Sequence, residues 1–309
     1  MTLRELQFAG KLLAKGDQTR EFRRIVMQMV VDQTKELFSN NLYVRIQAAL
    51  ILSELNLTEV DPRKNLPLEG FGPALDPLAD VLLDPEQHEA VKIVAANGIY
   101  RLLRTSAPEA KLKIKVADAL VKEFARTDTH FWYQLRLAAA LSACDVSLDF
   151  NRQPFVVNVL LKAISDPQRP FAVRAEAARA LGRVPIEPSV DYTRLLHELG
   201  VMAHALGTAA QQNPNDTEWP RCFLKLYYAF QPRDPNEMGA DRKTKAGLLS
   251  RTNNPSATRA LYNEVLPLIN AGLNQQPIPA ASLSALDSWI KKNAPAGVPV
   301  VNSGGVTGQ

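Results

Sequence analysis

Four segments of this 309-residue chain can be laid over one another. They are VRIQAALILSEL from Val44, VKIVAANGIYRL from Val91, LRLAAALSACDV from Leu135 and VRAEAARALGRV from Val173. Each has a basic residue in second place: Arg45, Lys92, Arg136 and Arg174. Three and four positions later comes a pair of alanines: Ala48-Ala49, Ala95-Ala96, Ala139-Ala140 and Ala177-Ala178. Further on stand Leu52 and Leu55, Ile99 and Leu102, Ala143 and Val146, Leu181 and Val184. Offsets of −1, +3, +7 and +10 from the basic residue share one side of a 3.6-residue helix, so each segment buries one stripe. Alanines keep that stripe thin, which lets a neighbouring helix come close.

Two more regularities frame the first. Asp84, Asp128 and Asp166 stand eight residues before Lys92, Arg136 and Arg174. An acid there is expected to cap the second helix or to pair with the basic residue of its own or the next unit. Each segment also follows an amphipathic stretch, over residues 22–38, 73–83, 108–124 and 154–164. Pro73, Pro108 and Pro154 open the last three, and proline suits a helix start. The basic residues recur after 47, 44 and 38 positions (45→92, 92→136, 136→174). Two helices in such a period match the length of a HEAT or armadillo unit.

The motif D…[VL]-[RK]-x-x-A-A…L resembles the HEAT repeat, over about residues 20–186. The resemblance implies an all-α, right-handed α-solenoid of five to six helix pairs, with the second helix of each pair lining a concave face. Divergent helices are predicted over 189–293: an apolar face from Leu195 to Leu206, a helix over 219–230, and two more over 257–273 and 280–292. Residues 1–293 are thus expected to form a single array, and the Gly/Pro/Val/Ser-rich stretch 294–309 a disordered tail. Residues 56–72 read as an inserted loop. Residues 231–256 read as a long irregular connection with one helical turn near 245–249.

Chemistry is sparse. Thirty-six Lys and Arg against 32 Asp and Glu give a net charge of +4, too mild for a dedicated nucleic-acid binder. No stretch is long and apolar enough for a membrane span, and MTLRELQFAGKLLAKG lacks a signal-peptide core, so a cytoplasmic location is expected. Cys144 and Cys222, in apolar helical contexts, read as small buried hydrophobes. His197 and His204 lie seven residues apart, about 10 Å along a helix, too far to share a metal. Both are expected to face solvent, opposite the Leu195/Leu199 stripe. No nucleotide loop, nucleophile elbow or metal motif occurs. The chain therefore calls for no cofactor and no metal, and offers no catalytic residue.

On the concave face that the resemblance implies, positions opposite the buried stripe would carry Asn97, Arg101 and Arg104 from the second unit, and Arg179 and Arg183 from the fourth. Arginines there fit an acidic protein or peptide partner, so the expected function is a non-enzymatic scaffold. Phe131-Trp132-Tyr133 stands at the entry of the third unit's second helix. Trp132 is expected to wedge against the apolar stripe, while Tyr133 points to the edge of the concave face. Phe131-Trp132 with Arg136 and the alanines is also similar to the HEAT-like alkylpurine DNA glycosylases, which implies a nucleic-acid-binding or base-processing alternative. A third class, a HEAT-like lyase for a linear tetrapyrrole, would need a groove carboxylate beside a hydrophobic cleft.

Overall fold

The computed structural model describes residues 17–60, 63, 67–231, 247–251 and 254–295. Most of these residues are helical, and strands are nearly absent among them. The amino-terminal stretch, most of the 231–256 connection and all but two residues of the expected tail lie outside them. In chain order the helices are α1 (Asp17–Lys35), α2 (Leu42–Glu54), α3 (Leu75–Leu83), α4 (Glu89–Thr105), α5 (Ala110–Ala125) and α6 (Phe131–Leu141). They continue with α7 (Phe155–Ser165), α8 (Phe171–Leu181), α9 (Tyr192–Gln212), α10 (Trp219–Phe230), α11 (Leu248–Arg251), α12 (Pro255–Leu273) and α13 (Ala280–Lys292). The insertion after α2 is more than a loop: β1 (Asn56–Thr58) pairs antiparallel with β2 (Glu69–Gly70).

The helices form two rows. In one, α2, α4, α6, α8, α10 and α12 pack successively on one another; in the other, α3, α5, α7 and α9 do the same. Within pairs, α3 packs on α4, α5 on α6 and α7 on α8. The pattern changes at the end, where α9 packs on α12 and α13. One continuous buried cluster runs from Met27 to Leu286.

The alanine stripe does what its thinness allows. Ala48, Ala49, Ala95, Ala96, Ala177 and Ala178 are all buried. Gly98 of α4 brings α2 closer still, since a Cβ there would collide with Ser53 Oγ.

The acidic residues do not cap the second helices. Asp84 and Asp166 terminate α3 and α7, and each accepts from the backbone N–H two residues on, Glu86 and Gln168. Asp128 pairs with Arg126 instead. The acid stands at the start of the turn, out of reach of the next helix. That helix is capped from nearer by: Asn41 caps α2, and the His88 and His130 imidazoles accept from Ala90 and Trp132 N–H.

The third segment is also out of register with its alignment on Arg136. The buried positions of α4 are Val91-Lys92, Ala95-Ala96, Ile99 and Leu102. Their counterparts in and after α6 are Tyr133-Gln134, Leu137-Ala138, Leu141 and Cys144. Alignment on Arg136 puts Ala139-Ala140 at the paired positions, whereas the register observed puts Leu137-Ala138 there, with Tyr133 buried. Gln134 thus takes the place of the repeat's basic residue, and Arg136, two positions on, is exposed.

That place is a polar seam between units. Arg45 donates to Gln87 Oε1 at 3.0 Å. Arg169 donates to Gln134 Oε1 at 3.3 Å and to the Phe124 carbonyl at the end of α5 at 2.9 Å. Arg174 donates to the Ile164 carbonyl in the last turn of α7. Guanidinium groups suit such helix ends, where carbonyls lack partners and the dipole is negative.

Lys92 instead meets Glu123 at 3.1 Å, both side chains buried, and the Tyr133 hydroxyl donates to the same carboxylate at 2.8 Å. Burial first, then the Glu123 charge, pushes the Tyr133 phenol up, so it stays a donor. Glu123→Ala would strand the buried ammonium and should destabilise the fold by about 3–5 kcal/mol. Tyr133→Phe removes one hydrogen bond to a charged group and should cost about 1.5–3 kcal/mol. Urea unfolding of both variants checks this; a Glu123→Ala loss no larger than that of Tyr133→Phe would refute the assignment.

Candidate functional site

A cleft of about 740 Å³ opens on the row formed by α4, α6, α8 and α10. Asn97 and Tyr100 of α4 form one wall, and the three helices that form the rest each begin with an aromatic: Phe131 of α6, Phe171 of α8 and Trp219 of α10. Trp132 follows Phe131, with ring centroids 5.5 Å apart. Phe171 and Trp219 meet edge to face at 5.8 Å, and the indole N–H donates to the Asn213 carbonyl at 2.6 Å. Leu135 and Ala139 complete the apolar lining.

The register explains why these rings are open to solvent. With Tyr133 in the buried stripe, the two residues before it lie outside the helix interface. Trp132 is 48% exposed and Phe131 39%, whereas Tyr133 is 0% exposed. The expectations for Trp132 and Tyr133 are therefore exchanged: Tyr133 is the packing residue and Trp132 faces the cleft.

The floor holds a buried charge cluster. Glu176 accepts from Arg179 Nε at 2.8 Å through Oε1 and meets Lys225 Nζ at 3.0 Å through Oε2. Arg179 also reaches Ser142 Oγ at 3.4 Å. Burial pushes the Glu176 carboxyl up, but the charges of Arg179 and then Lys225, with their hydrogen bonds, hold it below the usual carboxylate range. At the rim Arg221 pairs with Glu218 at 2.9 Å. Arg136 lies over the Trp132 ring at 5.9 Å and pairs with no carboxylate of the described residues. Cys222 borders the cleft, yet burial first and then the Glu218 and Asp216 charges push its thiol to about 12. It stays protonated at neutral pH and is no nucleophile.

Of the six residues expected to meet a partner, the cleft gathers Asn97, which is exposed, and Arg179 in its floor. Arg179 is 3% exposed and Arg183 2%, because α10 packs over their helix and the Tyr228 carbonyl accepts from Arg183. Neither guanidinium is presented to solvent. Arg101 is half-buried and donates to the Ser53 carbonyl at 2.9 Å and to Asn56 Oδ1. Arg104 lies over Tyr100 and donates to its hydroxyl. Sequence reasoning missed Phe171, Trp219, Glu176 and Lys225. The available signal was the aromatic at the entry of three successive helices, which the slipped register concealed.

The histidines also differ from expectation. His197 is buried against the core, and His204 is half-buried, its imidazole lowered by desolvation. Helix α9 is contacted by α7, α12 and α13, so little of its circumference faces water. Among the described residues, no three His, Cys, Asp or Glu side chains stand together as a metal site, and no helix is long and apolar enough to cross a membrane. A second cleft, of about 590 Å³, lies between α1, the hairpin and α5. It lacks the aromatic walls of the first, and Lys115 at its edge is taken up by Asp76 and Asp80.

Glu176→Gln tests the floor. The folded carboxyl titrates below its unfolded value, so its stabilisation is complete above the ordinary carboxylate range and fades as pH falls through the folded value. The variant should be roughly 3 kcal/mol less stable at neutral pH, and the gap should narrow on acidification. Denaturant unfolding at pH 7 and near pH 4 measures it; a gap that widened towards acid would refute the pairing. No protein-family model, no curated protein and no solved structure matches this chain.

Proposed function

We propose that the chain is a HEAT-type, right-handed α-solenoid of five to six helix pairs acting as a non-enzymatic scaffold. On this reading residues 1–293 form one array. The face of the second helices binds a segment of a partner protein, and the work is done in the cytoplasm. The observation that carries the reading is the cleft, where Trp132, Phe131, Phe171 and Trp219 leave aromatic surface uncovered between four packed helices. Large rigid aromatics beside an arginine are what interface hot spots are made of. Support for the solenoid comes from the recurring buried pattern and the two rows in which each helix meets the next but one. The two unpaired thiols are in keeping with a reducing compartment.

The partner contact proposed here differs from a groove of four arginines. Reversing Arg179 or Arg183 would break buried interactions, so stability and binding would fall together. Trp132 and Arg136 are the better probes because both are exposed. Trp132→Ala should weaken partner binding about thirty-fold or more, the size of a hot-spot loss, with little change in melting temperature. The measurement is capture from source-cell extract, identification by mass spectrometry, and titration of the recovered partner against both proteins. Equal affinity for the variant would sink the proposal.

The nucleic-acid alternative retains one observation in its favour. Arg136 over the exposed Trp132 ring is an arrangement on which a base can stack while a phosphate meets the guanidinium. Affinity for generic single-stranded DNA that fell steeply with salt and vanished in Trp132→Ala would favour it over the scaffold.

A further inference from the structure

We propose that the cleft takes an extended peptide segment of defined charge order, with an acidic residue at the α6 end, a basic residue at the α10 end and large apolar side chains between. The inference rests on the reading of the cleft as a partner site and specifies that partner's chemistry.

Glu176 holds two cations, Arg179 and Lys225, and Arg221 pairs with Glu218. Two charged side chains of the lining remain without an ion pair to any described residue. Arg136 on α6 is exposed, its guanidinium over the Trp132 ring. Asp216, in the turn before α10, has its carboxylate engaged only by the Glu218 backbone N–H at 2.9 Å. One end of the cleft therefore offers a cation and the other an anion. The surface between them is Phe171, Ala172 and the Trp132 and Trp219 rings. An uncompensated charge beside apolar surface favours a ligand group of opposite sign, and mismatched charge is rejected.

The spacing follows from the helix order. Helix α8 lies between α6 and α10, and each packs directly on it. Two helix-to-helix steps of 8–10 Å separate the charged ends by about 16–20 Å. An extended chain covers that distance in about five or six residues, at roughly 3.3 Å each. The cleft, of about 740 Å³, has room for an extended strand with one or two inserted side chains. Asn97 at the α4 edge offers a carboxamide that can both donate to and accept from a passing peptide backbone.

The test uses the full chain and a random nonapeptide library displayed on phage, with enriched peptides then synthesised and titrated by fluorescence anisotropy. The expected enrichment is a carboxylate and a cation five or six residues apart, bracketing an aromatic or large aliphatic residue. Arg136→Glu should turn the acidic preference basic and weaken the wild-type peptide at least tenfold. Asp216→Asn, which keeps the acceptor that closes the turn, should erase the basic preference alone. Thermal melts of both variants confirm that the fold is kept. Peptides that depend on Trp132 but show no charge spacing, keep their preference in Arg136→Glu, or carry the i, i+4, i+7 apolar spacing of a helix would overturn this inference and leave the scaffold reading standing. Absence of any enriched peptide, or binding indifferent to Trp132→Ala, would overturn both.

Discussion

Close approach between successive helices of the α2, α4, α6, α8 row is the constraint on which the rest of the molecule depends. Ala48-Ala49, Ala95-Ala96 and Ala177-Ala178 are fully buried, and Gly98 touches the neighbouring helix without a side chain. Thin faces bring the units together but leave little room to bury polar groups at random. The seam is accordingly specific. Arg169 and Arg174 reach the carbonyls that end α5 and α7, and Lys92 meets Glu123. Each such group would be costly unpaired, so the seam fixes how one pair sits on the next.

Helix positions were legible because the 3.6-residue pattern is strong along most of the chain. The stretches 219–230 and 280–292 coincide with α10 and α13, and the expected first helices, 22–38, 73–83, 108–124 and 154–164, overlap α1, α3, α5 and α7 with shifted ends. The third unit's register was not legible. Ala139-Ala140 and Arg136 made one alignment attractive, whereas the pair buried is Leu137-Ala138. Only the packing of Tyr133 against Glu123 distinguishes the two registers. That two-residue slip reversed the assignments of Trp132 and Tyr133 and hid the equivalence of Phe131 with Phe171. Arg179 and Arg183 were misread for another reason. Their positions face away from the alanine stripe, but α10, whose sequence diverges from the repeat, covers them.

The candidate site thus comes from what the repeat does not require. Unit-to-unit packing uses residues from Tyr133 inward in α6 and from Val173 inward in α8. The positions just before are free of that duty, and here they hold Phe131, Trp132 and Phe171. Aromatics at a helix entry extend past the end of the packed stripe, and on neighbouring parallel elements they converge. The cleft is the space between them, closed on the far side by Trp219 of the divergent α10.

Burying Glu176 between helices is unfavourable on its own, and an apolar residue of similar size would pack there without the desolvation cost. What the carboxylate does is hold two cations, Arg179 from its own helix and Lys225 from α10. The contact ties α8 to α10 at the base of the cleft and offsets part of the positive charge there. With Arg221 and Glu218 also paired, the charged side chains of the lining without an ion pair to a described residue are Arg136 and Asp216, on opposite sides of an aromatic floor. A surface with two distant, opposite charges and apolar rings between them discriminates by order as well as by composition. The polar interior of the fold thereby sets the charge that its exposed face presents.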